Sequence, residues 1–213
     1  DIAYRGDLEA LNARLDRGDD PNDPQQSFSG AAPLFCASRY GHPACVASLL
    51  ARNADVAVVH PEAGSALHGA AGSGHTDIVR LLLAAGAPPN TVDSGGDSAL
   101  TLAAYSGHTA VLRLLLDAGA DASLRHPQHG TAVEMAVGEG HVEAAALLRG
   151  GPVFTSKTAV LVRGLVTAAH HNGKTGLVRS FDEAAGRYVV VLSGEPSAVL
   201  KIKPANLERA PAR

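Results

Sequence analysis

The chain contains no tryptophan, and aromatic residues make up only 4% of its 213 positions. A core without large rings must be assembled from small and aliphatic side chains in close contact, which favours tightly packed helices. Cysteine is nearly absent: Cys36 and Cys45 cannot form a disulfide framework, and no Asn-x-Ser/Thr acceptor occurs, so nothing supports a secreted origin. No apolar run approaches the roughly 18–20 residues that span a bilayer, and the pattern of a signal peptide is missing. These absences predict a soluble protein without membrane insertion, working in the cytoplasm. The first residue is Asp1 rather than Met, which implies an upstream segment; if that segment is a targeting sequence, an organelle lumen or matrix replaces the cytoplasm.

Catalytic signatures are missing as well. There is no complete Gly-x-x-x-x-Gly-Lys-Ser/Thr phosphate loop around Gly173-Lys174-Thr175, no His-Glu-x-x-His and no Gly-x-Ser-x-Gly elbow. Gly72-Ser73-Gly74 imitates half of a nucleotide-binding fingerprint, but no strand precedes it and Asp77 stands where the third glycine belongs. Ten histidines invite a metal reading, yet His126, His129 and the pair His170-His171 lack further ligands at zinc-site spacing. The expectation is a non-enzymatic protein with no cofactor and no metal.

What the chain does have is a period. The dipeptide Gly-His occurs at Gly41-His42, Gly74-His75, Gly107-His108 and Gly140-His141, each 33 residues after the last. Gly6-Asp7 precedes them, displaced by two more residues, which fits an insertion near Gln25 and Gln26. A helix opening stands before each pair: Ala32-Pro33-Leu34-Phe35, Ser65-Ala66-Leu67-His68, Ser98-Ala99-Leu100-Thr101 and Thr131-Ala132-Val133-Glu134. Leucine runs follow at Leu49-Leu50, Leu81-Leu82-Leu83 and Leu114-Leu115-Leu116, then turns such as Gly119-Ala120-Asp121.

Ser or Thr can cap the free N–H groups of a first turn, and Pro33 sits where no N–H is needed. The glycine of each pair can end a short helix in a conformation that other residues resist. In Thr76-Asp77-Ile78-Val79-Arg80-Leu81-Leu82-Leu83 the apolar residues recur at helical spacing and leave Asp77 and Arg80 for water. One such helix pair cannot bury its own apolar face, so copies must stack. Histidines repeated in register, with His68 beside them, predict structural hydrogen bonds, and Cys36 and Cys45 predict small buried hydrophobes.

Residues 1–150 resemble the ankyrin repeat, with four copies and a partial fifth at the start. Departures exist. His68 is the only histidine at the Thr-Pro-Leu-His position, where Phe35, Thr101 and Glu134 are its counterparts, and the fourth copy ends short at Gly150-Gly151-Pro152. The resemblance implies that a partner protein lies on a concave face made from loop tips and the two variable residues before Gly-His. Carried onto this chain, that face comprises Arg39, Tyr40, Ser73, Tyr105, Ser106 and Glu139 on helices, with Phe28, Glu62, Asp97, Arg125 and Gln128 from loops. Tyr40 and Tyr105 lead, because aromatic residues dominate interface energetics.

Beyond Pro152 the period disappears. Val160–Val162, Gly176–Phe181, Arg187–Leu192 and Val199–Ile202 are β-prone runs separated by turn signals such as Asn172-Gly173. Four or five short strands suit a small barrel. Asn172-Gly173-Lys174-Thr175-Gly176, Gly186-Arg187-Tyr188 and Lys203-Pro204-Ala205-Asn206-Leu207 resemble, over residues 153–209, a small SH3-like module attached to ankyrin repeats in some protist and algal proteins. The stretch is also similar to KOW-type barrels, which in some proteins touch RNA.

The expected fold class is therefore multidomain: an all-α ankyrin-repeat solenoid of four to five repeats over 1–150, then a small all-β SH3-like barrel over 153–209. Charge sharpens the division, since residues 1–150 hold 9 basic against 17 acidic residues, a net of −8, and residues 151–213 hold 9 against 4, a net of +5. The leading expectation is an adaptor or scaffold that binds a partner protein, as a subunit of a larger complex. The rival is RNA binding through the basic barrel, for which Phe154, Phe181 and Tyr188 make a thin stacking platform.

Overall fold

A computed structural model describes residues 2–23, 32–60, 63–149, 159–162, 169–182, 187–193, 199–203 and 206–210. Short helices follow one another among them in packed pairs: α1 (Ile2–Arg5) with α2 (Leu8–Leu15), α3 (Pro33–Arg39) with α4 (Pro43–Ala51), α5 (Ala66–Gly72) with α6 (Thr76–Ala84), and α7 (Ala99–Tyr105) with α8 (Thr109–Asp117); α9 (Ala132–Gly138) and α10 (Val142–Leu148) come after them. Short hairpins lead into the first helix of a pair, β1 (Val59–His60) with β2 (Gly64–Ser65) and β3 (Arg125–His126) with β4 (Gly130–Thr131). An isolated bridge from Val92 to Ser98 holds the equivalent place before α7.

The first helices start where they do because their caps are satisfied. The N–H of Ser65 is donated to His68 Nδ1 at 3.1 Å, that of Ser98 to Thr101 Oγ1 at 2.8 Å, and that of Thr131 to Glu134 Oε2 at 2.7 Å. Three different side chains at the third helical position thus accept the same backbone donor, as a capping box requires. The departures from Thr-Pro-Leu-His at Thr101 and Glu134 are chemical equivalents. Before α3, Ala32 has no side-chain cap, and Pro33 removes one of the donors that would need it.

First helices α1, α3, α5, α7 and α9 pack in sequence, and second helices α2, α4, α6 and α8 do the same. Small residues make the first row possible: Ala37, Ala70, Ala71, Ala103, Ala104 and Ala136 are fully buried and let neighbouring backbones approach. The second row buries Val46, Leu49, Ile78, Val79, Leu82, Val111, Leu112 and Leu115. Each of these aliphatic side chains contributes roughly 1.5–3 kcal/mol of transfer free energy, and most of it comes from contact with a neighbouring pair.

The chain divides into two compact units, Asp1–Ala144 and Ala145–Arg213. The second contains β5 (Ala159–Val162), β6 (Thr175–Asp182), β7 (Arg187–Leu192), β8 (Val199–Ile202) and β9 (Leu207–Arg209) in one antiparallel sheet of order β8-β7-β6-β5-β9. Period-two alternation sends Val160, Val162, Val178, Tyr188, Val190, Leu192, Ile202 and Leu207 into its core. The first strand pairs with the last, Val162 opposite Leu207, and a bulge between Val178 and Ser180 interrupts β6. The expected small all-β module is present as this five-stranded sheet; β8 and β9 lie at opposite ends of the order, and among the described residues no ladder joins them into a closed barrel. No helix among the described residues is long and apolar enough to cross a membrane.

Candidate protein-binding surface

The ends of the first helices are built by one repeated device. His42 Nε2 meets the carbonyl of Tyr4 at 2.8 Å, His75 that of Arg39 at 3.1 Å, His108 that of Gly72 at 3.2 Å and His141 that of Tyr105 at 2.9 Å. A carbonyl only accepts, so Nε2–H donates in each case. Every acceptor lies two residues before the glycine of the preceding pair. A helix leaves its last carbonyls without internal partners, and here the next repeat supplies the missing donor. The expected structural role of these histidines is thereby accounted for.

The same contact explains the glycines. A Cβ at Gly74 would stand 2.7 Å from the His108 ring, one at Gly41 2.6 Å from His75 and one at Gly107 2.6 Å from His141. Gly140 has φ +74°, and among the described residues nothing lies within 4 Å of such a Cβ.

This anchoring holds the backbone beneath the predicted contact residues while their side chains face water. Arg39 ends α3 and is exposed; Tyr40 follows it at 47% exposure. Ser73 caps α5 and is exposed, Tyr105 ends α7 at 53% exposure with half-buried Ser106 after it, and Glu139 caps α9, exposed. These residues occupy equivalent positions on successive repeats, about 8–10 Å apart for packed helices.

One member of the row escapes sequence reasoning. Tyr4, 49% exposed, packs edge-to-face on Tyr40 with ring centroids 4.4 Å apart and planes at 71°. Its signal was its place two residues before Gly6, equivalent to Tyr105 before Gly107. That place is obscured because the first pair reads Gly6-Asp7 instead of Gly-His.

The loop residues divide differently. Asp97 is half-buried and engaged by three repeats: its carbonyl accepts from His68 Nε2 at 3.1 Å, its carboxylate accepts from Thr101 Oγ1 at 3.1 Å, and His126 Nε2 lies 3.9 Å away. His126 is buried, and its Nδ1 accepts the N–H groups of Gln128 and His129, both at 3.1 Å. Gln128 and Arg125 are exposed on this hairpin, where Arg125 Nη1 approaches Glu134 Oε2 at 3.4 Å. That ion pair lies in water and contributes little to stability. The hydrogen bonds from Thr131 hold the Glu134 carboxyl below its usual range, with a smaller pull from Arg125. Phe28 and Glu62 lie outside the described residues.

Buried groups elsewhere are quiet. Burial pushes the Cys45 thiol up, Asp7 adds to the effect, and both cysteines are buried and outside any disulfide. Burial also pushes the His68 imidazole below its ordinary range, against opposing pulls from the Asp97 carbonyl and the Asp93 carboxylate. No group of three or more His, Cys, Asp or Glu among the described residues could hold a metal ion.

A family model described as ankyrin repeats (3 copies) matches residues 1–93 and 67–157. The chain belongs to the ankyrin-repeat family, a protein–protein interaction module.

Proposed function

We propose that the protein is a non-enzymatic adaptor or assembly subunit of the cytoplasm, holding a partner protein on the concave ankyrin face. The observation that carries this reading is the row of exposed rings, Tyr4, Tyr40 and Tyr105, on a backbone tied down by the next repeat's histidines. An aromatic side chain on fixed backbone loses little freedom when a partner covers it, so most of its burial appears as affinity. Arg39, Ser73, Ser106, Glu139, Arg125 and Gln128 complete the face as polar surroundings. Asp97 belongs to the scaffold that positions them. The net charge of −8 on residues 1–150 favours a partner whose contacting surface is basic.

The test uses the full chain and its Tyr40→Ala/Tyr105→Ala variant as parallel baits in affinity capture, followed by titration of the captured partner against both. The expected result is binding weakened more than about tenfold, roughly 1.4 kcal/mol, with an unchanged helical spectrum and melting temperature. Equal affinity for both baits removes this face from the argument.

A further inference from the structure

The five-stranded sheet has a second face, and strand alternation assigns its residues. Along β7 the buried Tyr188, Val190 and Leu192 alternate with exposed Arg187 and half-buried Val189 and Val191. Register carries the outward set across the sheet. Val191 lies opposite Leu177 on β6 and Val199 on β8, and Leu177 lies opposite Ala159 on β5. Ala159, Leu177, Val191 and Val199 therefore form one continuous aliphatic row across four strands, about 14 Å long at the usual strand spacing. Leu177 is 49% and Val199 53% exposed.

An antiparallel sheet normally presents polar residues on its solvated face, and single exposed aliphatics need no explanation. A contiguous row centred on the sheet is different, because directly opposed side chains touch and act as one patch. Two exposed basic residues stand beside it: Lys201 lies opposite Val189, and Arg179 is at the β6 bulge. Residues 151–213 carry a net charge of +5.

We propose that this outer face docks an acidic amphipathic helix of another protein, its aliphatic stripe over Leu177, Val191 and Val199 and its carboxylates toward Lys201 and Arg179. A helix on a sheet is a standard layer arrangement, and two turns of a helix laid across the strands, about 11 Å of axis, run its aliphatic stripe along most of the row. The charge selects an acidic occupant over a basic one. Aliphatic character selects protein over nucleic acid, whose bases need aromatic platforms, and Tyr188 is buried on the opposite face. This surface is distinct from the ankyrin row and does not depend on it.

The probe is a labelled synthetic amphipathic helix with leucines at i, i+3, i+4 and i+7 and glutamates on its other faces, titrated against the full chain by fluorescence anisotropy. Saturable binding that weakens with added salt is expected, reduced more than about tenfold by Leu177→Gln/Val199→Gln and lost on Lys201→Glu. Tyr40→Ala/Tyr105→Ala is expected to bind the probe as the parent does, which separates this surface from the ankyrin face. Sheet spectra of the variants check that they remain folded. Four results overturn the proposal: no binding of the glutamate peptide, equal binding of a lysine-for-glutamate peptide, binding undiminished by the Leu177 and Val199 substitutions, or displacement of the probe by oligouridylate, which would make the face a nucleic-acid site.

Discussion

Two glycines at equivalent positions of the repeat differ in what a Cβ would meet, and that difference makes a quantitative prediction. Gly74 and Gly140 each follow a first helix, at φ +78° and +74°. Alanine at either position incurs the left-handed backbone penalty of roughly 1–2 kcal/mol. At Gly140 that is the expected cost, since among the described residues a Cβ meets nothing within 4 Å. At Gly74 the Cβ would stand 2.7 Å from the His108 ring, closer than real Cβ contacts allow. The ring must swing away, which breaks its 3.2 Å bond to the Gly72 carbonyl and loosens the joint between two repeats. Losing that bond adds roughly 0.5–1.5 kcal/mol, and the disturbed packing adds more. Gly74→Ala is therefore expected to destabilise by about 3 kcal/mol, a large part of a typical stability of about 5–15 kcal/mol.

Urea unfolding of the full chain, followed by the helical signal at constant slope, reads both numbers. A double-mutant cycle sharpens the test, because in a His108→Ala background the cost of Gly74→Ala is expected to fall to that of Gly140→Ala. Equal costs at the two glycines, or no coupling in the cycle, would refute the claim that the histidine of one repeat fills the space of a missing Cβ in the last.

His68 supplies a pH signature. Its folded pKa is lowered by burial, so below the ordinary histidine value of about 6.5 the unfolded chain binds a proton that the folded one resists, and stability falls as pH drops from there toward the folded value. His68→Gln keeps an acceptor for the Ser65 N–H without titrating, and thermal melts should show a flatter pH dependence for it; identical slopes would count against the buried neutral ring. Cys36 and Cys45 are expected to resist a thiol reagent in the native protein and to react together on unfolding, since both are buried and the Cys45 thiol is pushed up. Rapid native labelling at either would show that the first-repeat core is open.

Much of the fold is legible in the sequence because stacking imposes the same contact in each repeat. A glycine must supply both a left-handed backbone and an empty Cβ site, and a histidine must reach the carbonyl behind it, so the pair recurs at fixed spacing. Where several residue types satisfy one contact, letters diverge although chemistry does not. His68, Thr101 and Glu134 look like departures and accept the same kind of backbone donor. The strand order of the sheet was not legible, because it depends on which distant strands pair, and alternation within β5 or β9 carries no information about that.

The candidate surface was only partly legible, for a related reason. Positions on which stacking depends repeat; the positions left free by stacking vary and become available for recognition. Tyr40 and Tyr105 were visible because the Gly-His pair marks the helix end beside each of them. Tyr4 was hidden because Asp7 stands where histidine would mark the same end. Asp97 shows the converse case. Its type and loop position suggest a tip in water, but His68 on one side and His126 on the other draw it into the scaffold. A charged residue at a repeat tip is thus free for a partner only when the neighbouring repeats place no donor against it, a condition that periodicity in one chain does not reveal and packing does.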